Sequence, residues 1–113
     1  MGRKVVWTQP AADDVVETVE YIARDSPSFA TTLAQRICGA EDSLEELSER
    51  GRPFPDPAYP DFRELIVGPY RLVYEVEDER VVIHGVVHGS RQVERVLRKR
   101  AAPRDPRGRR TRR

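Results

Sequence analysis

Apolar residues along this chain switch from alternating to helical spacing and back again. Lys4-Val5-Val6-Trp7-Thr8 is short, β-branched and aromatic, which predicts an opening strand. From Pro10 the apolar positions Ala12, Val15 or Val16, Val19 and Ile22 recur at helical spacing. Proline suits a first helical turn and Asp13 and Asp14 suit its positive end, so a helix is expected to run to about Arg24. Ser26-Pro27 then reads as an N-cap with proline at the first helical position. Beyond it Ala30, Leu33, Ile37, Ala40, Leu44 and Leu47 step by three and four. That stripe predicts a second helix packing on the first, as a hairpin, and on a sheet.

Between Ser48 and Asp61 the chain carries Gly51 and prolines 53, 55, 57 and 60, which exclude regular helix and disfavour a central strand. A structured loop is expected there. Three strand-like runs follow, Phe62 to Val67, Tyr70 to Glu77 and Arg80 to His88, parted by Gly68-Pro69 and by Asp78-Glu79. They predict an antiparallel meander. A short last helix is expected to include Val93, Val96 and Leu97. The fold class is therefore α+β: strand, helical hairpin, three-stranded meander and short C-terminal helix. The folded domain is expected to span residues 1–97, with 98–113 a basic, disordered tail.

Length and composition fit this outline. With 113 residues and 38% apolar content the chain can bury one modest core without metals or disulfides. Its one cysteine, Cys38, has no partner for an internal disulfide, and no run reaches the roughly 20 apolar residues of a membrane span. A cytoplasmic protein with no membrane association is expected. The net charge of +1 conceals a division: residues 98–113 hold nine bases against one acid, leaving eleven bases against eighteen acids in residues 1–97. An acidic body argues against polyanion binding over the whole surface, so any such site has to be local.

Side chains alternate across a strand, and that alternation supplies a candidate site. Tyr70, Leu72, Tyr74 and Val76 make one apolar face, and Val81, Ile83, Gly85 and Val87 another; helices should cover both. The opposite, helix-free face then collects Arg71, His84 and His88. Arg91, just past the last strand, and Arg63, in the strand before, can reach the same surface, although the phase of the Arg63 strand is open because Glu64 alternates with it. Guanidinium groups bind phosphate in a forked geometry, and imidazole exchanges a proton near neutral pH. Against this, an arginine on a strand face is usually solvated or paired, at about 0–1 kcal/mol, and a histidine among valines, as His84 is, is more often structural. Convergence on one face favours Arg71, His88 and Arg91. Cys38 reads as a small buried or boundary residue and Trp7 as core packing, and no cluster has metal-ligand spacing, so neither a metal nor another cofactor is expected.

Trp7-Thr8 with Ala11, Ala12 and Asp14, then Gly51-Arg52, Arg63-Glu64, Tyr70-Arg71-Leu72-Val73-Tyr74 and Val86-Val87-His88-Gly89-Ser90-Arg91 occur in an order that resembles the RelE/ParE superfamily of toxins over residues 4 to 97. The resemblance implies a type II toxin held inactive by a cognate antitoxin, as a hetero-oligomer. RelE-like members cleave mRNA in the ribosomal A site without a metal, whereas ParE-like members block DNA gyrase. The RelE pattern places arginines at Arg71 and Arg91 and a lysine near Arg63. A second lysine and a C-terminal tyrosine of that pattern fall at Leu65 and Leu97, which leaves His88 as the substitute proton carrier. The catalytic set of the ribonuclease reading is thus Arg63, Arg71, His88 and Arg91. Because that set is incomplete, gyrase inhibition is slightly favoured; a non-toxic, partner-binding co-repressor is the third reading. The antitoxin is expected to add a helix and a strand and to be basic where it meets Glu41, Asp42, Glu45 and Glu46.

Overall fold

The computed structural model describes residues 2–104. Strand β1 (Lys4–Trp7) leads into helix α1 (Gln9–Ala23), and helix α2 (Pro27–Glu46) returns beside it. Both helices start as their sequences dictate: the Thr8 hydroxyl accepts the Ala11 N–H and the Ser26 hydroxyl accepts the Phe29 N–H, each at 3.2 Å. Then come β2 (Arg52–Pro53), β3 (Phe62–Val67), β4 (Tyr70–Val76), β5 (Arg80–His88) and helix α3 (Val93–Arg100). The sheet order is β1-β5-β4-β3-β2, with β1 parallel to β5 and every other pair antiparallel. The expected α+β architecture is present.

The hairpin covers one face of the sheet. Ala30, Leu33, Ile37, Ala40 and Leu44 of α2 are all buried, and the last four pack with Ala11, Leu72, Tyr74, Val81, Ile83 and Val86 in the main core. Trp7, Val15 and Ile22 are partly buried against it. The predicted stripe stops one step early: Leu47 caps α2 in a non-helical conformation and is 60% exposed. Val16 also points outward, so Val15 is the inward residue of that pair. Cys38, expected at a boundary or buried, is exposed.

Two features depart from the expected outline. The proline-rich loop contributes a two-residue edge strand, β2, where Pro53 is tolerated because an edge position leaves its missing N–H without consequence. The last helix runs three residues past Leu97 to Arg100, and the chain stays docked beyond it. Ala101 is buried and its carbonyl accepts the Tyr59 hydroxyl at 2.9 Å, while Arg104 donates to the Ala58 carbonyl at 2.9 Å and pairs with Asp61 at 2.6 Å. The expectation of a disordered tail otherwise concerns residues 105–113, which lie outside the described residues. Among the described residues no helix is long and apolar enough to cross a membrane.

The second sheet face is not free of helix. There α3 lays Val93, Leu97 and Ala101 over Phe62, Val73 and Val87, with Phe54 and Tyr59 from the loop completing a smaller core. Phe54, Tyr59 and Phe62 meet edge to face, with centroids 5.2 to 6.0 Å apart. Asp56 ties this loop to α3 through Arg98 at 2.5 Å.

Candidate functional site: a cleft between the sheet and the last helix

One irregularity decides which side chains meet. Along β4 and β5 the register is Val73 to Gly85 but then Tyr74 to Ile83, so His84 is an extra residue opposite β4. A one-residue bulge reverses the facing of everything beyond it. Val81 and Ile83 face the helical hairpin, and past the bulge so does Val86, whereas Val87 belongs to the core under α3. His88 pairs with Tyr70, whose ring it meets edge to face at 5.3 Å on the hairpin side. The expected convergence of Arg71 with His88 is therefore absent. His88 lies on the opposite face from Arg71, and its Nδ1 is engaged locally by Ser90, 2.7 Å from the hydroxyl and 3.1 Å from the backbone N–H.

Arg63 also falls away from Arg71. It pairs across β3 and β4 with Tyr74, which puts it on the hairpin face, and its guanidinium donates to the carbonyls of Gly51 at 2.7 Å and Glu49 at 3.1 Å. Its position is that of a clamp on the turn after α2. Glu64, its neighbour, takes the other face, so the open phase of this strand resolves with the carboxylate, not the guanidinium, beside Arg71.

Arg71 and Arg91 do come together. Both line an open cleft of about 730 Å³ between β3, β4 and α3, together with Glu64, Arg95, Arg98 and Lys99. Glu64 is 2% exposed, and its Oε1 is held by Arg52 at 2.6 Å and approached by Arg71 at 3.8 Å. Glu64 Oε2 has no hydrogen-bond partner among the described residues, so a buried carboxylate oxygen stays available to a donor. Neither Glu64 nor Arg95 was singled out by alternation. Alternation could not choose Glu64, since Phe62, Glu64 and Ile66 share one face and Arg63, Leu65 and Val67 the other, and each face sets one charge between apolar residues.

His84 is structural. Its Nε2 lies 3.1 Å from Oε1 of the buried Glu75, and its ring sits 4.9 Å from that of Phe62 beneath α3. Together these side chains make a polar pair inside the smaller core.

The cleft can hold an anion through forked arginines, with one carboxylate at its base. It does not gather the four expected residues into one acid–base set.

A second concave surface lies between α1 and α2. It is a groove of about 700 Å³ lined by small residues, among them Val19, Ala23, Ala30, Ala34, Cys38 and Gly39, with Asp42 at its edge.

The family model described as the ParE toxin of the type II toxin–antitoxin system parDE matches residues 5–93. The protein named Toxin RelE2 of Caulobacter vibrioides is 40% identical over 89 residues, which is 78% of this chain and 97% of that protein. Among solved structures, a chain of the chromosomal ParDE system from P. aeruginosa superposes with a TM-score of 0.64 at 20% identity, over 76% of this chain and 95% of that one. A chain of the toxin–antitoxin complex RelBE2 from Mycobacterium tuberculosis does so with a TM-score of 0.53 at 23% identity, over 78% and 99%. These two likenesses establish the fold.

Proposed function

The chain belongs to the ParE toxin family of type II toxin–antitoxin systems, and from that premise we propose that it arrests growth by binding and inhibiting DNA gyrase rather than by cutting RNA. One observation carries this choice. Metal-independent cleavage by a 2′-hydroxyl needs a base, an acid and cations around one phosphate, whereas Arg63 and His88 lie on the opposite sheet face from Arg71. An inhibitor needs only a surface.

The neutralising partner in this reading is an antitoxin that lays a helix into the groove between α1 and α2. Alanines and glycine let a partner backbone approach closely there, and exposed Asp42, Glu45 and Glu46 with half-buried Glu41 favour a basic partner. Exposed Val16 and Phe29 add apolar area on the same hairpin.

A second reading, ribosome-dependent mRNA cleavage, draws on a specific arrangement: Arg71 and Arg91 share the cleft with the carboxylate residue Glu64, and the 40% identical relative carries the name RelE2. In that case the arginines hold the scissile phosphate and Glu64 receives the hydroxyl proton.

Tightly controlled expression in a bacterial host separates the two. Intact mRNA, relaxed plasmid and DNA-damage signalling within minutes of induction support gyrase inhibition. Rapid mRNA fragmentation with normal supercoiling, abolished by Glu64→Gln, replaces it with the ribonuclease reading. Normal growth would leave a non-toxic binding domain.

A further inference from the structure

The last helix buries one stripe and exposes another of a single sign. Val93 and Leu97 face the sheet, as does Ala101 just past the helix end, while Arg95 and Lys99 lie four apart on the exposed side and exposed Arg91 stands two residues before the helix begins. Four residues of helix advance about 6 Å, which spaces Arg95 and Lys99 along the axis, and Arg91 lines the same shallow hollow at the helix start. The row runs along the rim of the cleft whose base carries Arg71.

Its electrostatic setting makes the row distinct. Residues 1–97 hold eleven bases and eighteen acids, so the body repels polyanions, while nine bases lie within residues 98–113. Of the carboxylates that line the cleft, Glu64 is paired with Arg52 and Glu94 with Arg98. Positive charge is thus concentrated on α3 and on the chain that continues from it. A linear array of cations beside an acidic body selects a linear polyanion approaching from one side.

We propose that the exposed side of α3 and the turn that leads into it, through Arg91, Arg95 and Lys99, form a sequence-independent binding surface for a polynucleotide phosphodiester backbone. This goes beyond the choice of target, because gyrase carries duplex DNA and the ribosome carries RNA. Sequence independence follows from the donors: arginine and lysine side chains in this arrangement address phosphate oxygens, which carry no sequence information.

The test is fluorescence anisotropy with the full chain, free of antitoxin, titrated against a labelled duplex DNA and a labelled single-stranded RNA across a series of salt concentrations. Arg95→Glu with Lys99→Glu should lower affinity at least tenfold and reduce the slope of log affinity against log salt by about 2 on the duplex, or about 1.4 on the single strand. Both positions are exposed, so the thermal midpoint should hold; the neutral pair Arg95→Gln and Lys99→Gln should give an intermediate loss. A chain with its arginines at 107, 109, 110, 112 and 113 replaced by glutamine should still respond to the reversal. The polynucleotide bound more tightly identifies the source of the backbone. Affinity unchanged within twofold on reversal, or binding that vanishes only when the terminal arginines are neutralised, would overturn the proposal. Because neither gyrase nor ribosomes are present, failure of the gyrase reading leaves this result standing, and the converse holds.

Discussion

Asp14 in the first turns of α1 and Arg100 at the end of α3 form a forked ion pair, with Nη1 and Nη2 at 2.6 and 2.9 Å from the two carboxylate oxygens. The same Asp14 oxygen accepts the Val86 N–H at 2.9 Å, and Arg100 also donates to the His84 carbonyl at 3.1 Å. The pair therefore joins both helical layers at the bulge of β5, and it raises the Arg100 pKa, first through its hydrogen bonds to Asp14. Gly85 lies beneath it, where a Cβ would stand 2.8 Å from the guanidinium.

Removing one partner should cost more than a surface ion pair does. Asp14→Ala leaves a partly buried guanidinium without its counter-charge and the Val86 N–H without its acceptor, and about 2–3 kcal/mol of stability should be lost. Urea denaturation measures it directly. A loss below about 0.5 kcal/mol, the range of an exposed pair, would show that the two helices do not depend on this contact.

Gly51 should tolerate no side chain. A Cβ there would stand 2.6 Å from the Tyr74 hydroxyl and 2.8 Å from the Glu64 carbonyl, both parts of the rigid sheet. Gly51→Ala is expected to destabilise by about 1–3 kcal/mol through overpacking. A thermal midpoint equal to that of the parent chain would contradict this placement of the turn after α2.

Alkaline pH should unfold the protein through Tyr74. Burial pushes its phenol above the ordinary value, although the Gly51 N–H donated to its oxygen at 2.9 Å works the other way. Its folded pKa is raised, so its contribution is fully present below about pH 10, where an unfolded tyrosine ionises, and is lost as pH climbs through the folded value. Tyr74→Phe should therefore flatten the alkaline fall in stability, and at neutral pH it should cost about 1–3 kcal/mol for the orphaned N–H. An identical alkaline slope in the two chains would rule Tyr74 out as the cause.

Toxicity should divide along the two sheet faces. His88→Ala, on the hairpin face and engaged with Ser90, should leave growth arrest intact, whereas Arg71→Ala empties the base of the cleft and should weaken arrest if the cleft contacts the target. Viable counts after induction read both. Equal loss from the two substitutions would revive a joint catalytic role for residues that the sheet keeps apart.

Much of the architecture was legible in the sequence because it rests on local chemistry. Pro10 and Ser26-Pro27 marked the helix starts, and the three-and-four spacing from Ala30 to Leu44 marked the buried stripe; that Thr8 caps the first helix instead of ending the strand came from the structure. Gly68-Pro69 and Asp78-Glu79 divided the meander. The order of motifs was enough to place the family. Leu47 escaped because spacing cannot tell a last helical residue from a cap that turns outward.

The candidate site was decided by tertiary structure, and the reason is geometric. Alternation has a period of two, so a single unpaired residue reverses every assignment beyond it; His84 is that residue, and it sends His88 away from Arg71. Neither the phase that buries Glu64 beside Arg71 nor the pairing of Asp14 with Arg100, 86 positions apart, leaves a periodic trace. By itself the sequence determined the two long helices, the main strands, their order and the kinship; which cations share a cleft depended on register and on where α3 docks, and those follow from contacts between residues far apart in the chain.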